Sequence, residues 1–370
     1  MKKKIIALIC ALALTLSLAG CVISTPDTVG SIGDVEITSG LYLLAQFNAY
    51  QSAASLADSD TDTTSAKSFL KATITTDSDT GDTAVVSDYV AEKTLENLET
   101  YAAIETRFDE LGGTLTDDEE TQADDYADQL MEQNGDLYNA NGIGLETLKR
   151  FARIIIKSND LLDMVYGTDG ETPVSDADLT NYIENNMYEI GYYVVPLYNS
   201  STFAFADDDQ ITEMVSLAQA AADSANASAQ TSVSAQVSTF TAAAESALPD
   251  VYAVLDSEYT STGIQTELLS DSDFDSFTVD GADDTLRSLE YGKAAAFQYS
   301  SYAMMLAIRL DPLAVNSLSS IRSDALSAMK SDELSDSFIT YGASLENNLS
   351  SSAMSKMPAK KIVASVSSDS

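Results

Sequence analysis

The sequence predicts an α+β fold that is mainly helical. Residues 86–187 repeat apolar side chains at helical spacing, with no strand-like run between them. Residues 188–197 and 294–310 are typical of strands, and helical spacing returns after Pro312. Helix on both sides of a β-containing segment predicts a β-containing domain inserted into a helical one, whose N- and C-terminal parts pack together.

The N-terminus has the layout of a secretory signal. Three lysines precede an apolar run from Ile5 to Leu18, which is shorter than the roughly 20 residues needed to span a bilayer. Leu18-Ala19-Gly20-Cys21 then resembles a bacterial lipobox. We predict that residues 1–20 are a signal peptide, that lipid on Cys21 anchors the chain to the outer face of the cytoplasmic membrane, and that residues 21–28 are a tether. The alternative is a secreted protein in which Cys21 is incidental.

The composition excludes several classes of function. The chain has 58 acidic and 19 basic residues, a net charge of −39. Such a surface repels phosphate backbones and anionic headgroups, so we expect no nucleic-acid partner and membrane contact only through the lipid. The sequence contains no histidine, and its two cysteines are Cys10, within the signal, and Cys21. We therefore expect neither imidazole nor thiol chemistry in the mature domain, and no cofactor.

The first part of the mature chain predicts a strand and turn followed by a helix. Residues 29–37 alternate around two glycines, and Thr38 or Ser39 can cap a helix whose apolar stripe includes Phe47 and Tyr50. Residues 57–85 are rich in Asp, Ser and Thr with little periodicity. They predict a mobile loop.

Four further helices follow, each with a local start or stop signal. Gly112-Gly113 ends a helix that runs through Val90 and Phe108. Thr116 and Glu119 form a capping box for the next helix, which we expect to close at Gly135. The last two are a helix stopped by Gly167 and one opened by Ser175.

The second half predicts the inserted domain. Pro196 indicates that the strand over 188–197 ends there or lies at an edge. Two alanine-rich helices and a polar, Asp-rich stretch through Phe277 follow. Residues 294–298 and 302–310 predict two strands joined by a short turn.

The order of these elements resembles the SurA-like chaperones and PrsA-like foldases of the parvulin-type peptidyl-prolyl isomerase group. The resemblance spans nearly all of the mature chain and is carried by phrases of moderate specificity. In chain order these are Val29-Gly30-Ser31-Ile32-Gly33-Asp34-Val35-Glu36-Ile37-Thr38, the helix from Tyr89 to Glu110, Gly113-Thr114-Leu115-Thr116-Asp117-Asp118-Glu119, Asn141-Gly142-Ile143-Gly144-Leu145-Glu146-Thr147-Leu148, Pro173-Val174-Ser175-Asp176-Ala177-Asp178-Leu179, Leu289-Glu290-Tyr291-Gly292-Lys293 and Tyr302 to Pro312.

The resemblance implies a domain plan. Residues 29–187 would form the helical chaperone domain, residues 188–312 a parvulin-like α/β domain, and residues 313–370 a C-terminal helix that completes the chaperone domain, plus a tail. The last strand of the parvulin-like fold would be the one leading to Pro312.

The catalytic residues of the family do not carry over. Parvulin sites typically place histidines on the first and last strands, beside an apolar proline pocket, and this chain has no histidine. The parvulin-like domain is therefore expected to be degenerate. An apolar peptide pocket could still be formed by side chains on the matching strands, although strand residues of this kind more often form core. The candidates for that pocket are Tyr193, Phe297, Met304 and Met305.

Two acidic runs do not meet the requirements of a calcium loop. The run with Asp58, Asp60 and Asp62 has Thr63 where the loop needs glycine and Phe69 where it needs glutamate. Asp271, Asp273 and Asp275 alternate without a closing bidentate ligand. Both runs are interpreted as solvated loops, with weak calcium binding as the alternative.

The sequence thus favours a lipid-anchored extracytoplasmic folding factor that binds unfolded, newly exported polypeptides on its helical domain. One alternative is an active peptidyl-prolyl cis-trans isomerase that uses the apolar pocket. A second is a solute-binding or structural surface lipoprotein, which the run of helices over 86–187 disfavours because two-lobed solute receptors alternate strands and helices. The oligomeric state is left open.

Overall fold

A computed structural model describes residues 26–228 and 230–366. The predicted signal peptide and Cys21 lie outside these residues. The fold is α+β and mainly helical, as predicted, with three small antiparallel sheets. The described chain divides into two compact units, residues 26–171 with 331–366 and residues 172–330.

The first unit combines two hairpins with long helices. Its elements are β1 (Thr28–Ile32), β2 (Val35–Thr38), α1 (Ser39–Ser55), α2 (Ala66–Phe69), β3 (Thr73–Asp77), β4 (Asp82–Val85), α3 (Val86–Glu110), α4 (Asp117–Ala140) and α5 (Leu145–Tyr166). The predicted caps are confirmed: the Thr38 hydroxyl accepts from the Leu41 N–H, and Thr116 and Glu119 form a reciprocal capping box.

The C-terminal segment completes this unit. The helix that ends at Ser344 is followed by residues that pair with β1, where Asn348 N donates to Ser31 O (2.9 Å) and Ser350 N donates to Val29 O (2.7 Å). The short α12 (Ser351–Met354) follows. N- and C-terminal parts of the chain therefore pack together in this unit, where Ala359 and Ile362 lie against the core that contains Tyr50 and Phe69.

The prediction of a mobile loop over 57–85 is wrong. The segment contains α2 and the β3–β4 hairpin, and it is fixed by two buried side chains, Phe69 and Ile74. The Phe69 ring packs edge-on against Tyr50 at 5.3 Å between centroids, and the Tyr50 hydroxyl donates to Thr63 O (2.6 Å). Two widely spaced apolar residues anchor a segment whose composition is otherwise polar.

Helix α4 is interrupted next to Gly135, where we expected it to close. Asn134 has a non-helical φ of −136° and ψ of 22°, so α4 consists of two helical segments joined at a kink, and the second segment ends at Ala140.

The second unit is built on a four-stranded antiparallel sheet. Its elements are α6 (Asp176–Asn186), β5 (Tyr188–Pro196), α7 (Asp208–Asn226), α8 (Val233–Ala253), β6 (Gln265–Leu269), a 3-10 helix (Asp271–Ser276), α9 (Ala282–Arg287), β7 (Ala294–Gln298), β8 (Ala303–Leu310), α10 (Pro312–Val315) and the first part of α11 (Leu318–Ser344). The sheet order is β6-β5-β8-β7. β5 ends at Pro196 and lies inside the sheet, so the proline marks an end and not an edge.

The two faces of this sheet are covered differently. α7 and α8 pack over one face, with Phe240 and Leu248 buried against β5 and β8. The other face is covered by the 3-10 helix and the short α9, through Phe274 and Leu286. β6 lies in the stretch that was predicted to be polar and Asp-rich. The sequence did not predict this strand, because Gln-Thr-Glu-Leu-Leu has too few alternating apolar positions.

The unit boundaries lie outside the predicted limits of 188 and 312. α6 packs on α10, and the Tyr182 hydroxyl donates to Ala328 O (2.8 Å). Arg322 donates to Val174 O (3.0 Å). α6 and the start of α11 therefore belong to the unit that holds the sheet.

In the parts of the chain that the structure describes, no helix combines the length and apolar character needed to cross a membrane.

Candidate functional site

The four predicted pocket residues do not line one pocket. Tyr193 and Met304 lie in the core beneath α7 and α8, whereas Phe297 and Met305 lie in the core of the opposite sheet face. Met304 and Met305 are neighbours on β8, and successive strand residues point to opposite faces. Phe297 and Met305 are register partners on β7 and β8. All four side chains are buried, so the prediction of a common, open pocket is wrong.

The sheet face opposite α7 and α8 is nevertheless partly accessible to solvent. Beside Phe297 and Met305, the side chains of Tyr192, Phe277 and Tyr299 are only half-buried. The Phe277 ring lies 5.2 Å from that of Tyr299. Burial raises the pKa of Tyr192 to about 12, and the nearby carboxylate of Glu267, which accepts a hydrogen bond from the Tyr192 hydroxyl, acts in the same direction. The Tyr192 hydroxyl is therefore neutral at physiological pH.

The three most exposed aromatic side chains of the described residues lie at one end of the sheet, beside the half-buried Tyr198. We call these four residues, Tyr198, Phe203, Phe205 and Tyr302, the aromatic cluster. Phe203, Phe205 and Tyr302 are 72%, 61% and 61% exposed. Their rings are in contact, with centroid distances of 6.4 Å for Tyr198–Phe203, 6.0 Å for Tyr198–Phe205 and 5.8 Å for Phe205–Tyr302. They form a continuous apolar surface open to solvent.

Backbone hydrogen bonds hold this cluster in place. Tyr198 and Phe205 form an isolated antiparallel bridge, so the chain after β5 turns back on itself. Within the turn, Phe203 N donates to Asn199 O (2.8 Å) and Asn199 N donates to Ala204 O (2.9 Å). Ala206 N donates to Leu197 O (2.9 Å), which ties the end of the turn to the sheet.

The side chain of Asn199 is the centre of the turn. Its amide donates to Leu255 O (2.6 Å), and its Oδ1 accepts from the N–H groups of Ser201 and Thr202, both at 2.9 Å. One side chain thus joins the turn to the segment after α8. The geometry of the exposed aromatic rings is set by these bonds and not by burial of the rings.

Phe203 has a left-handed backbone, with φ of +56°. Such a conformation costs a non-glycine residue roughly 1–2 kcal/mol. An exposed phenylalanine recovers little of that cost by packing. Strain of this kind is typical of functional positions, where a side chain must be presented in a defined direction.

The sequence indicates this cluster, although the search for strand and helix periodicity did not find it. Residues 198–206 are uncharged in a strongly acidic chain, and they place two phenylalanines between the end of a strand and the Asp207 capping box of α7. Apolar rings in a turn with no helical or strand partner indicate a surface role.

One cavity in this unit has a mainly polar lining. Its volume is about 130 Å³, and it is lined by Gln230, Gln236, Thr239, Tyr291 and Lys293, among others. None of the predicted pocket residues lines it.

The acidic runs are engaged in local contacts. Asp62 accepts from the backbone and hydroxyl of Thr64, Asp271 pairs with Arg287, and Asp273 accepts from Ser270 N. Across residues 26–228 and 230–366, no three His, Cys, Asp or Glu side chains are grouped so that they could hold a metal ion.

Neither a protein-family model nor a curated protein matches the sequence. Among solved structures, the chain is similar to the foldase protein PrsA from Streptococcus pneumoniae str. Canada MDR_19A, at 12% sequence identity and a TM-score of 0.34. The match covers 70% of this chain and 87% of that chain. We therefore infer function from the residues themselves.

Proposed function

We propose that this chain is an extracytoplasmic folding factor that binds unfolded segments of newly exported proteins and is held at the membrane by lipid on Cys21. The aromatic cluster is the observation that carries the proposal. Exposed apolar patches on soluble domains mark interaction surfaces. Aromatic rings contribute large contact areas at a small cost in conformational entropy, which suits weak, reversible contacts with many different sequences.

The charge of the chain supports the same class of partner. A net charge of −39 repels acidic, already folded proteins and attracts basic segments. Residues 198–206 carry no charge, so the cluster offers an apolar surface within this field. We expect clients to be extended segments that combine apolar and basic residues.

The proposal assigns the helical first unit to the chaperone domain and the second unit to a degenerate parvulin-like domain. Support for the second assignment is that β8 lies within the stretch from Tyr302 to Pro312, which resembles the last strand of the parvulin-like fold. The proposal moves client binding from the helical unit to the second unit, because the largest exposed aromatic side chains of the described chain lie there. It does not include prolyl isomerisation, since the apolar residues suggested for that reaction are divided between two sheet faces.

The aromatic cluster can be tested by paired substitutions. We predict that Phe203→Ser with Phe205→Ser weakens binding to a chemically denatured client at least about tenfold, because two exposed rings are lost from the contact surface. The measurement is suppression of client aggregation at equimolar protein. The double variant should unfold at the same denaturant concentration as the unaltered protein, because surface substitutions rarely change stability by more than about 0.5 kcal/mol.

A matched control lies on the helical unit. Leu95 on α3 and Ile339 on α11 are each 38% exposed. Leu95→Ser with Ile339→Ser should leave suppression unchanged. If this pair abolishes suppression and the phenylalanine pair does not, clients bind the helical unit and the proposed site is wrong.

Anchoring is tested separately. With Cys21→Ala, the protein should move from the membrane fraction to the soluble extracytoplasmic fraction, because lipid on that cysteine is the proposed attachment. A variant that stays in the membrane fraction contradicts the lipid anchor without affecting the client-binding claim.

A further inference from the structure

The two edges of the four-stranded sheet differ in the hydrogen-bond partners of their outward backbone N–H and C=O groups. At the β7 edge, the outward N–H and C=O of Ala294 both bond to the side chain of Asn226, at 2.8 Å each. The next outward N–H, of Ala296, donates to Gln219 Oε1 (2.8 Å). Two amide side chains of α7 thus take the place of a neighbouring strand. The side chains of α7 therefore obstruct strand pairing at Ala294 and Ala296.

The β6 edge has no such cover. Leu197 N donates to Tyr302 O, which fixes the alternation of hydrogen bonds between β5 and β8. Tyr188, Ile190 and Tyr192 therefore direct their backbone groups toward β6, where they pair with Leu269, Glu267 and Gln265. The residues between these, Thr266 and Leu268, turn their N–H and C=O groups away from the sheet.

These outward groups are available to a ligand. Within the described residues, no protein group forms a hydrogen bond with the outward backbone N–H and C=O groups of Thr266 and Leu268. The Thr266 residue is exposed and Leu268 is half-buried. Two donors and two acceptors, spaced as in a strand, match the backbone of an extended polypeptide.

We propose that β6 receives an extended client segment as a fifth strand of this sheet. The inference rests on the proposed function and names the contact through which a client of any sequence is held. Backbone pairing is independent of side-chain identity, which is what a factor with many unfolded clients requires. The contrast between the obstructed β7 edge and the open β6 edge indicates that only one side of the sheet accepts a strand.

The register of backbone hydrogen bonds gives a test with an internal control. The probe is a short fluorescent peptide of alternating valine and lysine, bound to the full mature chain. N-methylation of every second residue in one register removes the N–H groups that face β6, whereas methylation in the other register places the methyl groups on the far side. We expect one methylated peptide to bind about tenfold more weakly than the unmethylated peptide and the other to bind unchanged.

The protein side of the contact is tested with two variants at one position. Thr266→Pro removes an outward N–H that does not pair with β5, and edge strands tolerate proline at such positions. Thr266→Val keeps the N–H. Peptide affinity should fall about tenfold in the proline variant only. On peptide addition, the amide protons of Thr266 and Leu268 should also gain protection from hydrogen exchange in the unaltered protein, while those of Ala294 and Ala296 do not change.

Each outcome decides one claim. Equal binding of the two methylated peptides, or peptide binding without added protection at Thr266 and Leu268, overturns strand addition and leaves the proposed function standing if the phenylalanine pair still loses client binding. Absence of both peptide binding and aggregation suppression overturns the proposed function and strand addition together.

Discussion

At the scale of single residues, the second unit contains one carboxyl group in an unusual environment. Glu189 on β5 is only 4% exposed, and its Oε2 accepts from the Asn316 side chain (2.9 Å). Burial raises its pKa above the ordinary value of 4.5, and the bond from Asn316 only partly opposes this. The folded state therefore disfavours the ionised form that the unfolded chain adopts at neutral pH.

Glu189→Gln should raise the free energy of unfolding at pH 7. The amide keeps an acceptor for Asn316 and removes the cost of burying a charge. Because the folded-state pKa is raised, the destabilising effect of Glu189 is absent below pH 4.5 and develops as the pH rises through the folded pKa. The difference in unfolding free energy between the two proteins should therefore disappear in acid, as measured by denaturant titration at several pH values.

The chain offers clean conditions for that measurement. It has no histidine, so no imidazole titrates between the acidic and neutral ends of the series. Glu213 on α7 is exposed, and Glu213→Gln is the matched control. A Glu189→Gln protein that is no more stable than this control at pH 7 contradicts the assigned cost of burial.

The site residues illustrate which part of a binding surface the sequence can predict. Successive strand residues point to opposite faces, so strand alternation alone argues against one pocket that contains both Met304 and Met305. The sequence does not show that both faces are covered, and this covering buries Tyr193 with Met304 and Phe297 with Met305. The aromatic cluster depends on Asn199 and on contacts to the segment after α8, which join residues more than 50 positions apart.

At the scale of elements, helices were the most predictable part of the fold. Thr38, Thr116 and Ser175 each accept from the backbone N–H three residues ahead, and the helices begin where these local signals place them. Capping involves neighbours in sequence, so the sequence contains the whole interaction. The two strands of the last hairpin, β7 and β8, were also predicted because each is a continuous apolar run.

The elements that the sequence did not predict are stabilised by partners far away in the chain. The β3–β4 hairpin depends on burial of Phe69 and Ile74 against α1, and its own composition is polar. β6 is a strand because β5 offers a pairing edge, not because its five residues favour one.

At the scale of the whole molecule, the proposed lipid anchor, the negative charge and the client-binding surface act on the same partner. Lipid on Cys21 would place the chain beside the site where exported polypeptides emerge unfolded. The negative charge would exclude folded acidic proteins, and the aromatic cluster and the β6 edge would bind side chains and backbone of an extended segment. None of these steps requires imidazole, which agrees with a sequence that contains none.

Mapping where a client touches the chain is the most direct test of the central claim. A valine–lysine peptide that carries a photoreactive benzophenone is bound to the full mature protein, irradiated, and its attachment sites are located by mass spectrometry. We predict that crosslinks fall within residues 198–205 and at Tyr302, around the aromatic cluster. Crosslinks confined to α3 and the C-terminal half of α11 would contradict the account and place client binding on the helical unit.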